Sequence, residues 1–274
     1  MRLVNAVSIW AVAMGAAAVF PLSGQPTAQD VLERARIALG GRKLAAVQSL
    51  AVWGPDQRGP QSAMLTLSLD LSGKFLKEQT NFSSGGEVQR MGIGDDGAAA
   101  ASGGMPGDDG GPALVAGSIE GLNGDNYWTR APGGASVDGN ALQPAAAARK
   151  RSFIDGFARY ALAFTLSAPL NFPVTFVYAG RLETPDGTAD ALSGVGPGDF
   201  TLRLFIDTRT HLPLMMNYRE GGRDVQLWLK EYKPEGGILF PHIMTWVVDG
   251  SLVEEFQAQR FRANPKFRPE KFGR

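Results

Sequence analysis

The chain has 274 residues, enough for one or two domains with a substantial buried core. Lysine plus arginine and aspartate plus glutamate number 27 each, so no global basic field of the kind nucleic acid needs is present. Cysteine is absent, which excludes disulfide staples and a cysteine-linked lipid anchor.

Arg2 is the only charge ahead of an uncharged run, Leu3 to Leu22, and small residues follow at Ser23-Gly24. That pattern predicts a signal peptide over residues 1–24, cleaved on export, and hence a periplasmic mature protein over 25–274. An uncleaved anchor is the alternative, because the run approaches the length that spans a bilayer. Val31, Leu32, Ala35, Ala38 and Leu39 then share one face of a helix, with Gly40-Gly41 at its end. Gln48–Trp53, Ala63–Leu71 and Lys74–Phe82 read as strands; Leu65, Leu67, Leu69 and Leu71 alternate with Thr66, Ser68 and Asp70.

From Ser83 the composition changes. Glycine is dense, no Lys or Arg occurs from Met91 to Thr129, and Asp95, Asp96, Asp108 and Asp109 sit in two Gly-Asp-Asp-Gly motifs. Residues 83–117 are expected to form a mobile Gly/Asp-rich insertion, since so little apolar area cannot offset the ordering entropy. The paired motifs lack the alternating ligands and closing Glu of a calcium loop, so no metal site is assigned. Tyr127-Trp128 resumes the sheet.

Gln143–Leu166 reads as a second helix opened by Pro144. Phe153, Phe157, Tyr160 and Phe164 recur at spacings of four, three and four, while Arg149, Lys150, Arg151, Asp155 and Arg159 face away. The stripe fits either ordinary core or a lid whose aromatics close an apolar cavity, because both bury the same face. Val174–Thr184 is a strand, and Ala189–Asp199 reads as a connection interrupted by Gly and Pro.

The last third is an antiparallel meander: Thr201–Asp207, a polar turn through Thr210, a strand to Tyr218, Val225–Lys233, Ile238–Val248, and Ser251–Arg262 after the hairpin signal Asp249-Gly250. Asp207 and Thr210 can bond their own backbone in the turn. Met215, Met216, Trp228, Phe240, Met244 and Trp246 add lining suited to an apolar pocket. Beyond Phe256 the chain turns basic, with Arg260, Arg262, Lys266, Arg268 and Lys271, a run open to contact with acidic lipid headgroups and otherwise solvated.

Asp207-x-x-Thr210-x-Leu212-Pro213, Phe240-Pro241-His242 running into Trp246, and Asn264-Pro265-Lys266-Phe267 resemble the LolA-like family of bacterial periplasmic proteins. The resemblance implies an α+β fold: a strongly curved antiparallel sheet, a half-open β-barrel, packed by an N-terminal helix and a central lid-like helix. It also implies an apolar or amphipathic ligand, lipid or the acyl chain of a lipoprotein. The family's basic residue inside the barrel has no assigned position here.

Nothing in the chain demands catalysis. His211 and His242 are the only histidines, no Gly-x-Ser-x-Gly elbow occurs, and Glu254 and Glu255, as strand neighbours, point to opposite faces. The expected function is an exported protein that binds lipid or lipidated protein, as carrier or sensor, without enzyme activity or cofactor. The cavity candidates are Phe153, Phe157, Tyr160, Phe164, Met215, Met216, Trp228, Phe240, Met244 and Trp246. An envelope module without ligand and a hydrolase or metalloenzyme are the alternatives.

Overall fold

The computed structural model describes residues 25–82, 114–131, 134, 136–139, 144–184 and 187–273. The expected signal segment and most of the expected insertion therefore lie outside the described residues. Thr27 opens α1 (Ala28–Leu39) with a capping box shared with Asp30, and Gly40 at φ 144° ends it. Val31, Leu32, Ala35 and Leu39 are its buried face. A single turn, α2 (Arg42–Ala45), follows.

The strands are β1 (Ser49–Arg58), β2 (Gln61–Asp70), β3 (Lys74–Phe82), β4 (Leu114–Asn123), β5 (Asn126–Arg130) and β6 (Ser136–Asp138) before the central helix α3 (Pro144–Thr165). After it come β7 (Thr175–Thr184), β8 (Gly187–Val195), β9 (Thr201–Asp207), β10 (Pro213–Glu220), β11 (Arg223–Glu235), β12 (Ile238–Val248), β13 (Ser251–Gln257) and β14 (Arg260–Ala263). All belong to one antiparallel sheet, in the order β6-β5-β4-β3-β2-β1-β13-β12-β11-β10-β9-β8-β7, with β14 continuing the pairing with β1. Two meanders thus run outward from a central seam. Consecutive strands β6 and β7 end up as opposite edges, and α3 spans the chain between them.

The seam joins residues some two hundred positions apart: Leu50–Trp53 pair with Ala263–Arg260, and Asp56 with Phe256. Gly54 sits where the partner strand breaks. A Cβ there would lie 1.9 Å from the Gln257 carbonyl oxygen, so only glycine permits the approach. Asn264 locks the seam's end, its amide oxygen accepting from the Gln48 N–H at 2.7 Å while its amide nitrogen donates to the Ala46 carbonyl.

One face of the sheet and both helices share a continuous core. The sheet is strongly curved and open, with the helices inside the curve, which places the protein in the α+β class. A smaller cluster, Ala189, Ala191, Phe205, Met215 and Trp228, lies on the convex face. There too, Trp128 packs with Leu76 and Phe272, and its indole N–H donates to the Phe272 carbonyl at 2.8 Å.

Two elements differ from the sequence expectation. Residues 187–195 are a strand, not a connection: Asp190 and Leu192 face the interior while Ala189 and Ala191 join the outer cluster, so both faces are covered. Leu114–Gly117, within the expected insertion, already belong to β4, paired with the end of β3.

Candidate functional site

The inner surface is organised by α3. From Phe157 to Leu166 every residue is buried, whereas from Pro144 to Gly156 only Phe153 is. Phe75 on β3 is the anvil for the aromatic stripe, stacked on Phe157 with ring centroids 5.0 Å apart and touching Phe153 at the same distance. Such pairs add about 0.5–1.5 kcal/mol beyond burial. Tyr160 meets the Trp246 ring edge at 6.0 Å, and Phe164 meets Phe261, itself stacked on Phe240 at 4.6 Å. Leu166, at φ 52°, ends the helix, and the Arg36 guanidinium donates to its carbonyl, tying α1 to α3.

Under the N-terminal half of α3 the packing gives way to a cleft of about 310 Å³. Phe75, Phe153, Tyr160, Trp246, Leu227 and Val225 form its apolar walls; Lys77, Glu120, Arg149, Arg159, Glu220, Arg223 and Glu254 bring charge to it. Of the ten residues expected to line a cavity, the structure brings Phe153, Tyr160 and Trp246 to this cleft. Phe157, Phe164, Met216, Phe240 and Met244 are at most 1% exposed and sit in the continuous core. Met215 and Trp228 lie in the convex cluster, on the other side of the sheet.

Arg159, expected to face away from the stripe, is buried. Its guanidinium carbon sits 3.8 Å from the Tyr218 ring centroid, and it contacts Glu220 at 3.3 Å. The curved sheet wraps this half of the helix, leaving it no wet face. A cation there is tolerated because an aromatic face and a carboxylate replace part of its hydration.

The main feature not foreseen is a charged group on the inner face beside the cleft. Arg58 on β1 reaches Asp56 at 3.2 Å and Glu254 on β13 at 2.9 Å. Asp56 is 1% exposed, and neither carboxylate oxygen has a hydrogen-bond partner among the described residues. Burial first, and then the Glu254 charge, push its pKa up to about 7, against the pull of Arg58 and Lys77. Burial and the nearby Arg58 push Lys77 down. Glu254 turns inward, opposite Trp246, while its neighbour Glu255 pairs with Gln57 and Thr245 in the adjacent register.

The histidines are apart. His211 takes φ 59° in the β9–β10 turn, where the Asp207 carboxylate accepts from the Arg209 and Thr210 backbone N–H groups and the Thr210 hydroxyl. His242 is half-buried beside Phe261, and burial lowers its pKa. Among the described residues no group of three His, Cys, Asp or Glu is placed to hold a metal ion, and no helix is long and apolar enough to cross a membrane.

No family model and no curated protein matches the chain by sequence. By structure it is similar to a LolA superfamily protein from Nitrosomonas europaea, with TM-score 0.52 and 10% identity over 91% of this chain and 99% of that one. An outer membrane lipoprotein-sorting protein domain from Vibrio parahaemolyticus aligns with TM-score 0.48 and 11% identity over 88% of this chain and 95% of its own, too loose a superposition to add weight. The curved open sheet, the helix lying within it and the first of these likenesses together give the chain a LolA-like fold.

Proposed function

We propose that this chain is an exported, periplasmic protein that binds lipid, or the acyl chain of a lipidated protein, between α3 and the concave face of the sheet, as carrier or sensor. The observation that carries this reading is the cleft: about 310 Å³, apolar on its walls and charged around them, where the N-terminal half of α3 leaves the sheet's inner face partly open. That size lies at the lower end of small-molecule sites, roughly 300–1,000 Å³, and the mixture of aromatic wall and few polar groups is what such sites use. The LolA-like fold supports the same reading. Phe153, Tyr160 and Trp246 are the proposed contacts; Phe157 and Phe164 would join them only if α3 swung outward. The reading assigns no catalytic residue, metal or cofactor. The exposed Arg260, Arg262, Lys266 and Arg268 supply the surface for acidic headgroups.

One observation favours a second reading, an envelope interaction module without ligand: Phe157 and Phe164 are 1% and 0% exposed, so most of the barrel interior is filled by the protein's own side chains. Native mass spectrometry of protein purified gently from its own envelope separates the two. A bound amphiphile supports the carrier or sensor; a clean apo mass moves the weight to the module. Export is tested by N-terminal sequencing, expected to begin near Gln25, and Met1 retained on membrane-bound material contradicts it.

A further inference from the structure

The charges at the cleft are unequally committed. Each carboxylate already has a partner from its own neighbourhood. Glu120 accepts from the Tyr127 hydroxyl at 2.6 Å, Glu220 accepts from the Ser152 hydroxyl at 2.5 Å and contacts Arg159, and Glu254 accepts from Arg58 at 2.9 Å. Three of the four cations do not. Lys77, Arg149 and Arg223 line the cleft, yet no side chain among the three makes a hydrogen bond or an ion pair within 4 Å among the described residues. Arg149 and Arg223 are exposed, as cations at a mouth can be, while Lys77 is half-buried on β3. It faces the same way as Phe75, two residues before it, and sits opposite Leu67 and Glu120 on the flanking strands. Its ammonium loses hydration, and the carboxylates of Glu120, Glu254 and Asp56 act on it only at a distance and against Arg58, without a direct ion pair. An anion entering the cleft would supply the missing partner.

We propose that the cleft takes an acyl-chain amphiphile with an anionic head, a carboxylate or a phosphate, with Lys77 meeting the head, Arg149 and Arg223 flanking it, and the chain against the aromatic wall of Phe75, Phe153 and Trp246. This rests on the amphiphile-binding reading above and adds the sign of the headgroup. The difference in pairing sharpens it: each carboxylate already has a donor on one oxygen, while an anionic head finds three cations with no side-chain partner among the described residues. The attraction is partly screened, so the preference weakens as salt is raised.

The test is isothermal titration of four amphiphiles of one chain length, each below its micelle concentration, into the wild-type protein and Lys77→Met: dodecanoate, dodecyl phosphate, neutral dodecyl maltoside and cationic dodecyltrimethylammonium. The wild type is expected to bind the two anionic ligands about tenfold more tightly than the neutral one, the size of one charge-assisted contact. Lys77→Met is expected to reduce that ratio to about threefold or less while leaving the maltoside affinity unchanged. A phosphate preference over carboxylate points to a lysophospholipid source, the reverse to a free fatty acid, and both sustain the anionic head. Equal or tighter binding of the neutral or cationic ligand by the wild type overturns the proposal while amphiphile binding itself stands. If none of the four binds, the amphiphile reading fails and takes this proposal with it. An undiminished anionic preference in Lys77→Met overturns the role of Lys77. Should that variant melt early, the ratio in the exposed Arg223→Gln decides the matter: a lowered anionic preference sustains the role of the cleft cations, and a preference kept in full overturns it.

Discussion

The two halves of α3 make the same helix do different things. From Phe157 onward the sheet surrounds it, so that even Arg159 is enclosed and must lean on Tyr218 and Glu220. Before Gly156 the helix touches the interior mainly through Phe153, and a cleft opens beneath it. The lesson is that curvature is spent unevenly. A half-barrel filled by its own helix at one end can hold that helix rigidly, and the less enclosed end is where volume and unpaired charge accumulate.

The sharpest way to break this contrast is to damage the enclosed half. Phe157→Ala removes a ring that is 1% exposed and stacked on Phe75. The expected loss is about 3–5 kcal/mol in urea unfolding, from lost burial plus the cavity left behind. A loss under about 1 kcal/mol would mean that this half of the helix is as loosely held as the other.

A smaller effect is expected from the charged group beside the cleft. Asp56 has a folded-state pKa of about 7 against an ordinary 3.8. As pH rises between these values the unfolded chain releases the proton first, so ionising Asp56 inside the fold costs stability. Its contribution is therefore harmless below pH 4 and fully unfavourable above pH 7, by about 1–3 kcal/mol given the opposing pull of Arg58 and the coupling to Glu254. Asp56→Asn should melt higher than wild type at pH 8, by roughly 2–8 °C, and equally near pH 4. A lower melting temperature for Asp56→Asn at pH 8 would show that the ionised carboxylate is needed by Arg58.

The smallest expected change lies at the boundary between the halves. Gly156 is helical, lines the cleft, and a Cβ added to it would meet nothing within 4 Å. Gly156→Ala should therefore stabilise the protein by about 0.5–1 kcal/mol, through the unfolded chain's lost freedom, on chemical denaturation. Destabilisation would mean that this position departs from helical geometry in solution.

Much of the enclosed half was legible in the sequence. The four-three-four spacing of the aromatic stripe fixes the buried face of α3, Asp249-Gly250 gives the β12–β13 turn with φ 47° and 81°, and Asp207 and Thr210 cap their own turn. Arg159 was misplaced because a helical wheel assumes that the face opposite the stripe is wet, and here the sheet wraps that face too. β8 was hidden because Gly194 and Pro197 read as breakers, although Gly194 is where the Phe176 ring lies, 2.8 Å from a would-be Cβ. The charged group was invisible for a different reason. Pro55 and the polar residues after it disguise the end of β1, and Asp56 meets Glu254 only because β1 and β13 pair across the whole length of the chain. No local pattern records a seam of that kind.

The central claim, that an acyl chain enters beneath the N-terminal half of α3, is tested most directly through Trp246, which lines the cleft and touches Tyr160. A dodecanoate brominated along its chain quenches tryptophan only on close approach, so wild type and Trp246→Phe are titrated side by side. Saturable quenching in the wild type that is largely lost in Trp246→Phe is the predicted result, with matching melting curves for the two proteins. Quenching that persists undiminished in Trp246→Phe, or none that saturates in the wild type, would contradict it.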